Sequence, residues 1–361
     1  MIEEELRAAF ARHEELVPDA GPLRRTIERL AVRRRRRRLV VRATGAALAV
    51  LTIVALPSLG RDLVGARPPA PVGDTPGPVG QLRPGPLDFL VLGLDRAGDT
   101  DHARADTIIV AHVPASRDRV YLIAIPRDVG VQIPPYAKSG YPGGLEKINA
   151  AYFFGSSGRA ANVAGGVELT ALALRDLTGL RFDGAAVVEF EALRRVTDAV
   201  GGVRMCLDRE IVSVHTQRVF RVGCQRLDGA QALDLIRQRR GLPRGDLDRL
   251  GTAQDYLAAL AHEFAGLGAG DLFEALGAAG GGLTVDTRGV PLPELVFQLR
   301  GAAGRVIGVS LMTDLRSSTR GGVSFLQPDP ALSHGLFDAV RRDALGAWLA
   351  AHPELVRDGQ R

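Results

Sequence analysis

LDFLVLGLDRAGDTDHARADTIIVAHVPASRDRVYLIAIPRD, residues 87–128, holds three apolar runs separated by short polar stretches. LDFLVLGLD, ADTIIVAHV and RVYLIAIP are each too short for a buried helix. The second and third are rich in β-branched side chains, which fit a pleated surface. All three are expected to be buried strands. Working outward, GAAVVEF, VRMCL, RVIGVSLM and GVSFLQ also predict strands. Helical spacing begins near Glu146 and includes INAAYFFG. It returns in GGVELTALALRDLTG, where Leu169, Leu172 and Leu177 share roughly one side. FEALRRVTDAVGG, LDGAQALDLIR, DLDRLGTAQDYLAALAHEF, PLPELVFQLRG and a terminal segment around LFDAV complete the helices. In the third of these, Leu250, Leu257, Leu260 and Phe264 keep the 3–4 spacing. The Gly clusters at 265–270 and 277–282 read as helix breaks. Strands and helices alternate, so the class is α/β with a sheet between helical layers.

The chain has 361 residues and a formal net charge of +5. Residues 1–42 carry 12 Arg and 7 Asp or Glu, which accounts for all of the excess. The rest is neutral, with 34 basic and 34 acidic residues, so no nucleic-acid partner is expected. Arg33–Arg38 precede residues 39–59, LVVRATGAALAVLTIVALPSL, whose single charge is Arg42. At 1.5 Å per residue such a helix reaches roughly 30 Å, the thickness of a bilayer core. Basic residues on its leading side put the N-terminus in the cytoplasm. A cleaved signal peptide is the rival reading, weakened by the 38-residue leader, the long apolar run and the lack of a clear A-x-A site. The expected organisation is a basic cytoplasmic tail (1–38), a transmembrane helix (39–59), a linker (60–86), an extracellular domain (87–350) and a short tail (351–361). The linker holds 7 Pro and 6 Gly, a composition without a core. Outside the membrane, Cys206 and Cys224 are expected to form a disulfide, with two free core thiols as the alternative.

In open α/β sheets, ligands bind beyond the carboxyl ends of strands. Asp95 follows the first run. Arg104 and Asp106 lead into the second, and Arg127 and Asp128 follow the third. Lys147 stands at a helix start, and it is one of only two lysines in the chain, the other being Lys138. RQRRGLPRGDLDR, residues 237–249, adds five arginines and two aspartates. Carboxylates invite Mg²⁺, which takes one or two Asp together with water and phosphate oxygens. Arginines fork onto phosphate. Together they suit a pyrophosphate and the charge of phosphoryl transfer. Ordinary surface Asp–Arg pairing is the plainer alternative for any one of them. No P-loop and no G-x-S-x-G elbow occurs. His112, inside a strand, reads as a packed core residue.

FLVLGLDRAG, RADTIIVAHV, LIAIPRDVGVQIP, GGLEKINAAYFFG and LDGAQALDLIRQRR with GDLDR resemble the LytR-CpsA-Psr family of bacterial cell-wall proteins, in family order. The Cys206/Cys224 pair resembles the disulfide-bearing actinobacterial branch. The resemblance implies a three-layer α-β-α sandwich with a mixed central sheet, preceded by one transmembrane helix in the cell membrane. It implies a phosphotransferase that moves a glycopolymer from a polyprenyl-pyrophosphate carrier onto peptidoglycan. Asp95 and Asp106 would then bind Mg²⁺, with Mn²⁺ as the alternative ion. Arg104, Arg127, Lys147, Arg237, Arg239 and Arg249 would hold the pyrophosphate, and Asp95 or Asp128 would accept a proton. VVEF, YFF and ALDLI would line a prenyl cavity. The family continues after Arg249 with Arg-Gln-Gln; here those positions are Thr252, Ala253 and Gln254, one cation and one amide fewer. A polyprenyl-pyrophosphate hydrolase and a non-catalytic sensor of lipid-linked precursors are the competing expectations.

Within 237–249, Arg237 and Arg239 are expected on one face of an extended chain. Asp246 is expected to cap the next helix with Arg249 one turn on, and Arg240 and Arg244 to be solvated.

Overall fold

A computed structural model of the chain describes residues 82, 84–95, 103–158, 162–311 and 315–357. Contacts divide the chain at Asp74, and all of these residues belong to the second unit, Thr75–Arg361. The expected tail and membrane span, and all but the last residues of the linker, lie outside the described residues. Among the described residues, no helix is long and apolar enough to cross a membrane.

The three opening runs are strands β1 (Leu87–Leu94), β2 (Ala105–Val113) and β3 (Val120–Ile125). A hairpin of β4 (Gly130–Ile133) and β5 (Gly144–Lys147) leads to helices α1 (Ile148–Ser156) and α2 (Val163–Thr178). Then come β6 (Gly184–Glu189), α3 (Phe190–Ala199), β7 (Val203–Leu207), β8 (Ile211–Val212), β9 (Val219–Phe220) and β10 (Gly223–Leu227). Helices α4 (Gly229–Ile236), α5 (Asp246–Ala265) and α6 (Ala269–Ala278) follow, then β11 (Leu283–Asp286), α7 (Leu292–Ala303) and β12 (Val306–Ser310). A hairpin of β13 (Arg316–Arg320) and β14 (Val323–Gln327), helices α8 (Pro330–Arg341) and α9 (Leu345–Ala350), and β15 (Val356–Arg357) end the domain.

The central sheet runs β11-β6-β1-β2-β3-β12-β15. It is mixed: β1 pairs with β2 antiparallel and with β6 parallel, and β12 pairs with β3 parallel. The β2 side chains divide between two layers, as the twofold strand period requires. Ile108 and Val110 pack with Tyr152 of α1, Leu169 of α2 and Phe337 of α8. Ile109 packs on the other face with Leu122, Ala124 and Leu250 and Ala258 of α5. The sheet therefore lies between two helical layers. A separate core joins α3, α4, α5 and β7.

Helices α1 and α2 cross closely because glycine lines the contact. A Cβ on Gly166 would meet the Tyr152 ring at 2.7 Å, and one on Gly155 would strike the Gly165 carbonyl. This packing holds the aromatic residues of α1 beside the end of the sheet.

Several local expectations are corrected. Helix α1 begins at Ile148, two residues past Glu146, with Lys147 as its N-cap. Lys147 pairs with Gly130 in the β4–β5 ladder, and the Ile148 N–H donates to Val129 O at 2.8 Å. VRMCL and GVSFLQ are strands, but each pairs in a two-stranded sheet outside the central one. The ordered chain continues past residue 350. Leu355 is fully buried and Val356–Arg357 extends the sheet edge beside β12. Gly266 ends α5 and Gly280–Gly282 form a 3₁₀ turn, while Gly277 is accommodated inside α6. Cys206 and Cys224 face each other across β7 and β10 and are disulfide-bonded.

Candidate active site

The register of β1 and β2 shifts once, between Gly93 and Leu94. Gly93 faces Thr107 and Leu94 faces Ala105, so Asp106 is left over opposite the step. A bulge of this kind re-aims a side chain at a strand end. Here it frees the Asp106 carboxylate to take a hydrogen bond from Arg127 Nη1 at 2.7 Å. Asp95, one residue beyond Leu94, pairs with Arg237 at 3.2 Å.

Arg127 leaves the end of β3 and sits among three carboxylates. Besides Asp106, its Nε lies 3.1 Å from Asp246 Oδ2 and 3.9 Å from Asp128 Oδ2. The Nε approach to Asp246 lacks hydrogen-bond alignment, so this buried N–H has no acceptor. Burial opposes the charge on Arg127, but the carboxylates of Asp106, Asp246 and Asp128 outweigh it and raise the pKa. Asp128 also takes Lys147 Nζ at 2.8 Å.

Asp246 is the hub of the far side. It is the first residue of α5, but Gly245 is the N-cap and makes no side-chain cap. The expected capping role is corrected: the carboxylate turns to cations instead. It accepts from Arg249 Nε at 2.9 Å and Nη2 at 3.1 Å, and Arg239 Nη1 approaches at 3.8 Å. Burial pushes the Asp246 carboxyl up, yet the Arg249 hydrogen bond and the charges of Arg249, Arg127 and Arg239 bring it below its ordinary value.

Arg249 is nearly fully buried. Beyond Asp246 it donates to Thr107 Oγ1 at 3.3 Å and to Asp106 O at 2.7 Å. Four of its five N–H groups thus have protein acceptors. It fixes the start of α5 against β2 and presents little to a ligand. Arg104 is the opposite case. It is exposed, and its guanidinium stands 5.8 Å from the Phe153 ring centroid.

Arg237 and Arg239 do not share an extended segment. Arg237 is the C-cap of α4 in helical conformation, with its guanidinium 5.6 Å from the Phe190 ring. It turns to Asp95 and Arg239 turns to Asp246, so the two arginines address opposite ends of the cluster. Between them Gln238 is fully buried. Arg240 and Arg244 are both exposed, as expected, and Arg244 also pairs with Asp248 through Nη2 at 2.8 Å. The family-divergent positions lie further along α5. Thr252 donates to its own helix at Asp248 O, and Ala253 is buried. Gln254 Nε2 donates to the carbonyls of Leu122 and Val309, which ties α5 to the sheet rather than to the site. His112 is core, as read, held by Asp88 at 2.8 Å.

Arg127, Lys147, Arg239 and Arg249 thus join Asp106, Asp128 and Asp246 in one network, while, among the described residues, Asp95 with Arg237 forms a separate pair and Arg104 meets Phe153 at the same end of the sheet. Asp246 was missed as a site residue; its signal was a carboxylate three residues before Arg249 on a helix start, which reads equally as a cap. Counted together, six cations (Arg104, Arg127, Lys147, Arg237, Arg239, Arg249) and four carboxylates (Asp95, Asp106, Asp128, Asp246) at this end of the sheet leave a formal excess of two positive charges, although Arg104 itself meets no carboxylate among the described residues. Among the described residues, no three His, Cys, Asp or Glu side chains form a cation cage. The donor set is carboxylate oxygen on two neighbouring strands. That fits Mg²⁺, which keeps waters and completes its shell with substrate phosphate.

The fold is a mixed α/β sandwich that carries these arginine and aspartate side chains at one end of its central sheet. The chain belongs to the LytR_cpsA_psr family, whose model matches residues 76–315. It is 34% identical over 188 residues to "Cell wall biosynthesis protein LcpA" of Corynebacterium glutamicum, covering 48% of this chain and 35% of that one. It is 31% identical over 202 residues to "Polyisoprenyl-teichoic acid--peptidoglycan teichoic acid transferase TagU" of Oceanobacillus iheyensis, covering 53% and 57%. The matches thus span between about a third and just over half of these relatives' length. Among solved structures, "TagT bound to LIIa-WTA" shares the fold with a TM-score of 0.57 and 20% identity, covering 73% of this chain and 91% of that one.

Proposed function

We propose that this chain is a membrane-anchored phosphotransferase that moves a glycopolymer from a polyprenyl-pyrophosphate carrier onto peptidoglycan. The observation that carries the reading is the Asp106–Arg127–Asp246–Arg249 network with Lys147 and Arg239, which shares one end of the sheet with the Asp95–Arg237 pair and the exposed Arg104, two surplus positive charges in all. A pyrophosphate diester brings matching negative charge, and guanidinium forks are suited to its oxygens. The family membership, and the transferase named among its relatives, support the same reading.

In this reading Arg104, Arg127, Lys147, Arg237 and Arg239 hold the pyrophosphate. Arg249 acts through Asp246 and Asp106, keeping Arg127 in place. Asp95 and Asp106 would hold Mg²⁺, with Mn²⁺ as the alternative. The metal would supply charge neutralisation at the phosphate oxygens. The acceptor sugar hydroxyl attacks the sugar-side phosphorus, and its proton passes to Asp95 or Asp128. The phosphoanhydride bond breaks, polyprenyl phosphate leaves, and a phosphodiester joins polymer to wall. A single span at 39–59, with the N-terminus cytoplasmic and the domain outside, would keep enzyme and lipid donor on one surface and raise their effective concentration.

The test is product analysis. The full chain in detergent is incubated with Mg²⁺, a polyprenyl-pyrophosphate-linked sugar and peptidoglycan oligomers, and products are read by mass spectrometry. A phosphodiester-joined product that Arg127→Ala abolishes is expected. No such product, together with lipid binding unchanged in Arg127→Ala, would overturn the assignment.

A further inference from the structure

The disulfide between Cys206 and Cys224 closes a segment that carries the small hairpin β8–β9. Its two faces differ sharply. Ile211, Ser213 and Phe220 point inward and are buried. Val212, Val214, Val219 and Val222 are 50%, 43%, 48% and 63% exposed. Val212 and Val219 are cross-strand partners, so their side chains stand together on the outer face. Three exposed valines on one short hairpin, with Val222 just beyond it, are not explained by folding, which would favour burying them.

The charges there are equally one-sided. From Ile211 to Leu227 there is no Asp or Glu, in a domain otherwise balanced between acid and base. Arg218 and Arg221 are exposed, and among the described residues neither is in an ion pair.

The hairpin is rigidly joined to the active-site cluster. Gln238, between Arg237 and Arg239, accepts from the Val214 N–H at 3.1 Å and donates to Ser213 Oγ at 2.9 Å. Asp234 of α4 accepts from Ser213 Oγ at 2.6 Å and also from Thr216 Oγ1. A buried, satisfied polar network of this kind fixes one arrangement. Whatever the hairpin rests on, the arginines of the cluster are held beside it.

We propose that the outer face of this hairpin, Val212, Val214, Val219 and Val222 with Arg218 and Arg221, docks on the surface of an anionic phospholipid bilayer. Apolar side chains enter the acyl boundary while guanidiniums meet lipid phosphates, the two terms that bind interfacial segments. A soluble polyanion would need the arginines but not the valines. The docked hairpin sets Arg237 and Arg239 at the depth of a lipid-linked phosphate group.

The experiment reads contact rather than turnover, so its outcome is separate from that of the transferase reading. The full chain is reconstituted in vesicles of equal phosphatidylcholine and phosphatidylglycerol, part of the lipid being brominated on its acyl chains. Val222→Trp is compared with the unsubstituted chain, whose one tryptophan, Trp348, stacks on His352 at 3.8 Å. The tryptophan at 222 is expected to lose emission to bromine and Trp348 to keep it. Replacing Arg218 and Arg221 with Gln should weaken the contact equilibrium by about fivefold for each arginine removed. On the unsubstituted chain, amide exchange across 211–222 should slow in phosphatidylglycerol vesicles relative to detergent. Unquenched emission at 222 with unchanged exchange overturns the proposal. So does protection by soluble polyphosphate without protection by vesicles, which would assign the face to a polymer.

Discussion

Arg127 Nε, at the end of β3, lies 3.1 Å from Asp246 Oδ2 at the start of α5. The same carboxylate is forked by Arg249, which reaches back to Asp106 O and Thr107 on β2. A strand end, a helix start and a bulge are thus joined through one aspartate.

Asp246→Asn breaks this junction and leaves Arg249 buried with a weakened partner. Removing one member of a buried ion pair typically costs about 3 kcal/mol. Urea denaturation should show a loss of that order, with a lowered midpoint and an unchanged slope. A loss within a few tenths of a kcal/mol would show that Arg249 is held by its other acceptors alone.

The acid limb of stability should carry the Asp246 signature. Its folded pKa is depressed, so its contribution is fully present above the unfolded carboxylate value of about 3.9 and is lost as pH falls through the folded value. Midpoints measured from neutral pH downward should therefore fall less steeply in Asp246→Asn than in the unsubstituted chain. Parallel curves would contradict the assigned direction.

Arg104 and Arg249 should separate binding from folding. Arg104 is exposed, so Arg104→Ala should leave the denaturation midpoint unchanged. Losing one charge-assisted contact to a phosphate should weaken donor binding by roughly tenfold. Arg249→Ala should instead lower stability and reduce binding only through the displaced Arg127. Titration calorimetry with a polyprenyl-pyrophosphate-linked sugar, beside denaturation of the same samples, reads both.

The disulfide closes a loop with a sequence separation of 18. In the chain-entropy model it contributes about 3 kcal/mol. Denaturation with and without reductant should differ by that order. Alkylation of both cysteines without reductant would remove the bond from the account.

The central strands were legible because β1, β2 and β3 are largely buried from both sides, which enforces near-continuous apolar runs. Asp95 and Arg127 were legible as charges placed after such runs, and Lys147 as a charge at a helix start. What was not legible is pairing. Whether VRMCL joins the main sheet or a small hairpin depends on the distant partner Gly223–Leu227, which no local pattern encodes. The same holds for Asp246, whose position fits both a cap and an ion pair, and for Arg237, the helical C-cap of α4, whose partner Asp95 is distant in the chain. β15 is two residues long and exists only because the β12 edge is there to receive it.

The most direct test of the central claim is to run the transfer reaction in ¹⁸O-labelled water with Mg²⁺, lipid-linked donor and peptidoglycan oligomers, and to weigh every phosphorylated product. The account predicts a polymer–peptidoglycan phosphodiester free of ¹⁸O, released together with polyprenyl phosphate. An ¹⁸O-bearing polymer phosphate with no coupled product would contradict it, since water would then be the acceptor.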